Sequence, residues 1–238
     1  MVRRSVLILI LLACVWASAE ERLNVAVTAS FRPVLDHLAA DFEAQSGIRL
    51  NLSSASTGVL YQQIRNGAPF DLFFAADRAR PELLQQQWSL VESRRQTYAI
   101  GQLVLVSDDP AVQTVADLSQ YEGRVVIANP ALAPYGEAAQ AVLDAQRFPG
   151  TPILANNVSQ ARQYLSMKLA RVGLIAASVA SGLNWVQDVP DQDAISLEQQ
   201  LLVLTDHSAN AQFLQYLQKK SSQAVFRQFG YRLPGDPS

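Results

Sequence analysis

Ser53-Ser54-Ala55-Ser56-Thr57-Gly58 follows the strand-like Ile48-Arg49-Leu50-Asn51-Leu52 and opens a helix-like run over residues 59–65. A strand that ends in a hydroxyl-rich loop and turns into a helix gathers free backbone N–H groups, hydroxyl donors and the positive end of a helix dipole at one point. Such a corner can seat an anion. Ser and Thr are also ordinary helix caps, so the weight of the corner depends on whether it recurs.

It recurs three times. Upstream, Leu23-Asn-Val-Ala-Val27 reads as a strand leaving through Thr28-Ala29-Ser30 into a helix with Val34, Leu35, Leu38 and Phe42 at helical spacing. Ser30 is expected as its N-cap, with Pro33 in the first turn where no N–H is needed. Downstream, Gly67-Ala68-Pro69 stops the central helix, and the apolar Phe70-Asp-Leu-Phe-Phe-Ala75 fits a strand buried in a parallel sheet. Asp71 and Asp77 read as structural caps, Asp77 for a helix over 80–87. The third corner is residues 129–136, after a strand over 124–128, where Pro134 leaves the N–H groups of Tyr135 and Gly136 at a helix mouth. The fourth follows a strand over 152–155, where Asn156-Asn157 caps a helix from Val158 that carries Ala161, Leu165 and Leu169.

Strands alternating with helices across short turns predict a doubly wound α/β sheet with ligands at the carboxyl ends of its strands. The run Tyr98-Ala-Ile-Gly-Gln-Leu-Val-Leu-Val-Ser107 is too long for one ordinary strand and is placed as a crossover into a second sheet. Residues 173–177 form a short buried strand and 178–193 read as irregular. Residues 201–205 return to the first sheet, helices cover 210–219 and 222–229, and Gly230-Tyr231 begins an exposed tail. The expected architecture is two lobes joined by two strands, residues 20–99 with 198–238 against residues 100–197.

Composition bounds the function. Met1-Val-Arg-Arg, an apolar run and Ala17-Ser18-Ala19 have the layout of a secretory signal over 1–19, too short to be read first as a spanning helix. A lipid-anchored form through Cys14 is the alternative. If Cys14 leaves with the signal, disulfides, thiolate chemistry and cysteine metal sites all drop out. Removing Arg3 and Arg4 takes 19 basic residues to 17 against 21 acidic ones, a net charge of about −4. Nucleic acid is excluded as a partner, and a bound anion must be held by local dipoles.

With Thr28-Ala-Ser-Phe31, the 53–58 loop, Gly67-Ala-Pro-Phe-Asp-Leu-Phe-Phe-Ala-Ala-Asp77, the 129–136 turn, Asn157-Val-Ser-Gln160 and Phe229-Gly-Tyr231 in view, the chain resembles the periplasmic molybdate-binding proteins of ABC importers. The resemblance implies a type II periplasmic binding protein fold that closes on molybdate or tungstate, a periplasmic location, no other cofactor, an inner-membrane ABC permease as partner, and a monomer. It implies hydroxyl and backbone donors at Ser30 and Thr57 and backbone donors at Tyr135 and Val158, with Ala29, Gly58 and Asn157 in support. Two departures stand out: Ala176 occupies a strand end where some members carry tyrosine, and the segment around Gln199-Gln200 matches loosely.

None of the four corners contains Lys or Arg, although Arg32 stands just beyond Ser30. A fully ionised dianion can be held by donors alone, whereas monoprotonated phosphate needs an acceptor for its proton. Sulfate, phosphate or a small carboxylate on the same scaffold, and an anion sensor, remain as alternatives. An exported hydrolase is disfavoured, because only His37 and His207 are available as bases and no Gly-x-Ser-x-Gly elbow occurs.

Overall fold

The computed structural model describes residues 21–189 and 196–236, so the expected signal segment and Cys14 lie outside the described residues. In chain order, the first lobe opens with β1 (Arg22–Thr28), α1 (Arg32–Ser46), β2 (Arg49–Ala55), α2 (Thr57–Arg65), β3 (Leu72–Ala75), α3 (Ala79–Gln87) and β4 (Arg95–Ile100). The second lobe holds β5 (Leu103–Ser107), β6 (Val125–Ala128), α4 (Pro134–Ala145), β7 (Ile153–Ala155), α5 (Val158–Ser166), β8 (Val172–Ala176) and β9 (Trp185–Asp188). The chain then returns to the first lobe for β10 (Glu198–Val203), α6 (Ala209–Leu217) and α7 (Lys220–Gln228).

The sheet orders are β2-β1-β3-β10-β4 and β7-β6-β8-β5-β9, one plan used twice. In each, the second strand in the order (β1 or β6) pairs in parallel with a neighbour on either side, and the remaining two strands join antiparallel. The turns after β1, β2, β6 and β7 therefore leave from carboxyl ends of adjacent parallel strands, where the strand order reverses and where open α/β sheets bind ligands.

Several sequence expectations are corrected. Ser53, Ser54 and Ala55 belong to β2, in register with Ala26, Val27 and Thr28, because the parallel ladder continues to the end of β1. The helix accordingly starts at Thr57 rather than at residue 59. Ser30 is not an N-cap: α1 begins at Arg32, with Phe31 in the cap position and no side-chain capping bond. The 98–107 run does carry the expected crossover, as the end of β4 and the whole of β5 with a break at Gly101 and Gln102. β3 is parallel to β1 on one side only and antiparallel to β10 on the other. Within 178–193, β9 forms an edge strand on β5, with a register shift between Leu105 and Val106. Helix α5 ends at Ser166, so Leu169 lies beyond it and is exposed.

Tyr231 is the largest correction, since it is 3% exposed rather than part of a free tail. It packs edge-on against Phe31, whose ring also meets Phe74, Tyr98 and Phe226 with centroids 4.6–5.6 Å away. Aromatic pairs in this geometry add to the ~1.5–3 kcal/mol of burying each large apolar side chain. Arg232 then closes an antiparallel bridge to Ile100, tying the C-terminal segment to the start of the first crossover.

Candidate functional site

The first corner is held by Phe31, fully buried in that aromatic cluster, which leaves Ser30 no freedom to turn outward. Ser30 is itself fully buried and its hydroxyl has no hydrogen-bond partner. Because it caps nothing, that hydroxyl is free for another acceptor. The Ala29 N–H donates to Ala55 O at 2.9 Å, which locks the first corner to the second.

At the second corner Ser56 is the N-cap of α2, yet its hydroxyl makes no capping bond and has no partner. Thr57 is fully buried. Its Oγ1 accepts the Ala76 N–H at 3.1 Å and lies 3.3 Å from Thr28 Oγ1. The hydroxyl thus braces the end of β3 while its proton can turn between Thr28 and a ligand.

In the second lobe, Pro134 occupies the first turn of α4, as its fixed φ favours. Asn157 caps α5 by accepting the Gln160 N–H at 3.0 Å, so it orients the helix mouth and Val158 rather than offering its own carbonyl oxygen. Tyr135 and Val158 are 2% and 3% exposed.

Among the described residues, no protein acceptor takes the backbone N–H of Ser30, Thr57, Tyr135 or Val158. First-turn N–H groups are orphans in any helix; what distinguishes these is burial, which makes an unpaired donor costly unless something accepts from it. The corners are also tied together across the lobes. Gly58 N–H donates to Leu132 O at 2.9 Å, Ser159 Oγ donates to Ala29 O at 3.3 Å, and Ser178 Oγ donates to Ser30 O at 2.7 Å. Ala29 and Ala76 of the first lobe pack into the same apolar cluster as Tyr135 and Val158.

The three expected supporting residues therefore act as frame: Ala29 and Gly58 through cross-corner hydrogen bonds, Asn157 through its cap. Gly58 needs to be glycine here, because a Cβ would stand 2.9 Å from Leu132 O.

Among the described residues, the charged side chains nearest the corners are engaged elsewhere. Arg32 is turned away, donating to Asp36 at 2.7 Å and to Leu52 O at 3.1 Å. Arg162 donates to Ser181 O, and Asp77 accepts the Arg80 N–H and pairs with its guanidinium. Asp71 joins Asn24 and Thr205. Beside Ser30, the Tyr231 hydroxyl donates to Ser178 Oγ at 3.3 Å. Burial pushes Tyr231 up to about 12, against the pull of its hydrogen bond with Ser178. Burial raises Tyr98 and Tyr135 well above the usual phenol value too. All three stay neutral at ordinary pH.

Ser159, Ser178, Tyr231 and Leu132 stand around the candidate site through contacts that the sequence alone does not announce. Ser178 lies in a stretch without periodicity, and the buried Tyr231 follows Gly230, which sits at φ 78°, a turn signal that also ends helices before tails. His37 packs against Phe229 and His207 Nδ1 accepts the Ala209 N–H, so neither stands beside a nucleophile in the cleft. Among the described residues no group of three or more His, Cys, Asp or Glu side chains is gathered to hold a metal ion.

The model of the family described as bacterial extracellular solute-binding protein matches residues 23–232. The chain is 33% identical over 240 residues to the molybdate-binding protein ModA of Azotobacter vinelandii, with 94% of each chain covered. It is 29% identical to the molybdate-binding protein ModA of Rhodobacter capsulatus, over 90% of this chain and 89% of that one. The solved structure of the Azotobacter vinelandii periplasmic molybdate-binding protein superposes with a TM-score of 0.77 at 31% identity, covering 89% of this chain and 99% of that one.

Proposed function

This chain belongs to the bacterial extracellular solute-binding protein family, and we propose that it captures molybdate or tungstate between its lobes and hands the anion to the membrane permease of an ABC importer. The observation that carries this reading is the set of four buried, unengaged N–H donors at Ser30, Thr57, Tyr135 and Val158. Two come from each lobe, and the Ser30 and Thr57 hydroxyls stand beside them. The similarity to proteins named for molybdate supports the choice of ligand.

A bare tetrahedral dianion offers only acceptors, and this site offers donors. Each hydrogen bond to the charged ligand contributes on the order of 1.5–3 kcal/mol, and several converging ones offset its lost hydration. Helix N-termini add dipole stabilisation without a formal charge. Hydrogen bonding alone does not separate sulfate from molybdate; that choice falls to cavity size, since longer metal–oxygen bonds demand a wider pocket. Binding without turnover fits the placement of His37 against Phe229 and of His207 at the start of α6.

The lobes divide at residues 20–99 with 198–238 and residues 100–197, so that closure is a rotation about the two crossovers. The mature protein starts near Glu20, works in the periplasm as a monomer, and uses no cofactor beyond its ligand.

Calorimetric competition among molybdate, tungstate, sulfate and phosphate tests the reading. Molybdate and tungstate bind tightly and phosphate far more weakly. Phosphate bound as tightly as molybdate would defeat the donor-only argument, and tight sulfate binding would move the assignment to another oxyanion.

A further inference from the structure

The Tyr135 side chain has no role in a site that uses only its backbone N–H, yet it is among the largest fully buried side chains. Its hydroxyl is buried without a partner at hydrogen-bond geometry, and the neighbouring Tyr231 hydroxyl turns its proton to Ser178. The place where the ring ends is informative. A Cβ added to Gly101 would fall inside van der Waals contact with this hydroxyl, 2.9 Å from Cζ and 3.0 Å from Nε2 of Gln199.

Gly101 lies at the passage between the lobes. Ile100 still pairs with Glu198 and Arg232 of the first lobe. The Gln102 carbonyl already accepts the Ala177 N–H, and Leu103 pairs with Ala176, both in the second lobe. The Gly101 N–H donates to Leu197 O at 2.9 Å, which joins the first crossover to the second. A rotation of one lobe against the other must be absorbed over these few residues.

We propose that Tyr135 couples anion capture to lobe closure, its N–H facing the anion while its ring and unpaired hydroxyl seat against Gly101 at the hinge. This rests on the oxyanion reading given above. Both groups hang from the first turn of α4, so opening the cleft takes the N–H from the anion and withdraws the phenol from the crossover together. Glycine at 101 is then a requirement of the closed form: the seat has room for a hydrogen and none for a methyl group. The hydroxyl works against closure, because seating it strips its water without supplying a partner. Tyr135 is thus a positioning residue through its side chain and a ligand donor through its backbone.

The two ends of the contact respond in opposite directions. Molybdate titration calorimetry, ligand-free melting and X-ray scattering with and without molybdate are compared for wild type, Gly101→Ala, Tyr135→Phe and the double variant. Gly101→Ala loses roughly ten- to hundredfold in affinity, the range of overpacking a closed site, and compacts less with ligand. Its ligand-free melting temperature stays near wild type, since the open form has space for the methyl group. Tyr135→Phe, which keeps the N–H and sheds the stranded hydroxyl, binds roughly threefold tighter or better. The double variant recovers part of the loss at Gly101.

Wild-type affinity in Gly101→Ala overturns the proposal. So does a fall in its ligand-free melting temperature equal to the loss in binding, because the ring would then occupy its seat in both forms. Weaker binding by Tyr135→Phe also counts against it, as the hydroxyl would be a bonding group in the closed form. If wild type binds none of the four oxyanions, the functional reading itself fails and the hinge proposal falls with it. That result is distinct from normal wild-type binding with an unaffected Gly101→Ala.

Discussion

Replacing Thr57 by alanine removes one hydroxyl that the structure uses twice, and the two uses separate in different assays. In the protein, Thr57 Oγ1 accepts the N–H of the fully buried Ala76 at 3.1 Å. Deleting it leaves that N–H unsatisfied at about 1–3 kcal/mol. A chain of this size loses roughly 2–4 °C of melting temperature per kcal/mol, so ligand-free Thr57→Ala melts roughly 2–12 °C below wild type. In the complex, the anion loses one hydroxyl bond of about 1.5–3 kcal/mol and keeps the Thr57 N–H, a drop in affinity of roughly ten- to hundredfold. Thr57→Ser supplies both interactions and recovers both readouts. Ligand-free calorimetry gives the first quantity and molybdate titration the second. Unchanged affinity with lowered melting refutes Thr57 as a ligand residue and leaves it as a brace for β3. Lowered affinity with unchanged melting refutes the account of Ala76.

Gly58→Ala places a Cβ 2.9 Å from Leu132 O, so it weakens molybdate binding by obstructing closure. In the open form it exchanges glycine for a better helix former inside α2, and ligand-free melting rises slightly; a fall there refutes the argument. Adding molybdate reduces the radius of gyration measured by scattering, and an unchanged radius counts against closure. The pH dependence is set by the buried phenols. Tyr231 moves from 10.0 unfolded to about 12 folded through burial, so its contribution to stability is full below about pH 10 and is lost as the pH rises towards 12. Melting temperature stays level into mild alkali and falls above pH 10, and Tyr231→Phe shallows that fall.

Much of the candidate site is legible in the sequence because its corners are local. A strand end, a hydroxyl or Pro134, and a helix start within a few residues already declare buried N–H donors at Thr57, Tyr135 and Val158, since unpaired first-turn amides follow from helix geometry alone. The alternation of strand and helix likewise declares an α/β architecture, and the length of the 98–107 run marks the break between the two sheets. What misled was also local. Ser30 looks like a cap from its neighbours, and the ladder that carries β2 to Ala55 depends on β1, which no window around residue 53 contains.

Sequence by itself determined the strand–helix corners, the uncharged donor chemistry and the family likeness, because each is written in neighbouring residues and their order. Only tertiary structure decided that Ser30 is freed from capping by the burial of Phe31, that Tyr231 returns from the far end of the chain to stand beside it, and that Gly58 and Leu132 meet across the lobes. The reason is distance along the chain. The bond from Ser178 to Ser30 spans 148 residues and that from Ser159 to Ala29 spans 130. Contacts of that reach are set by how two sheets pack and close, which no local periodicity encodes.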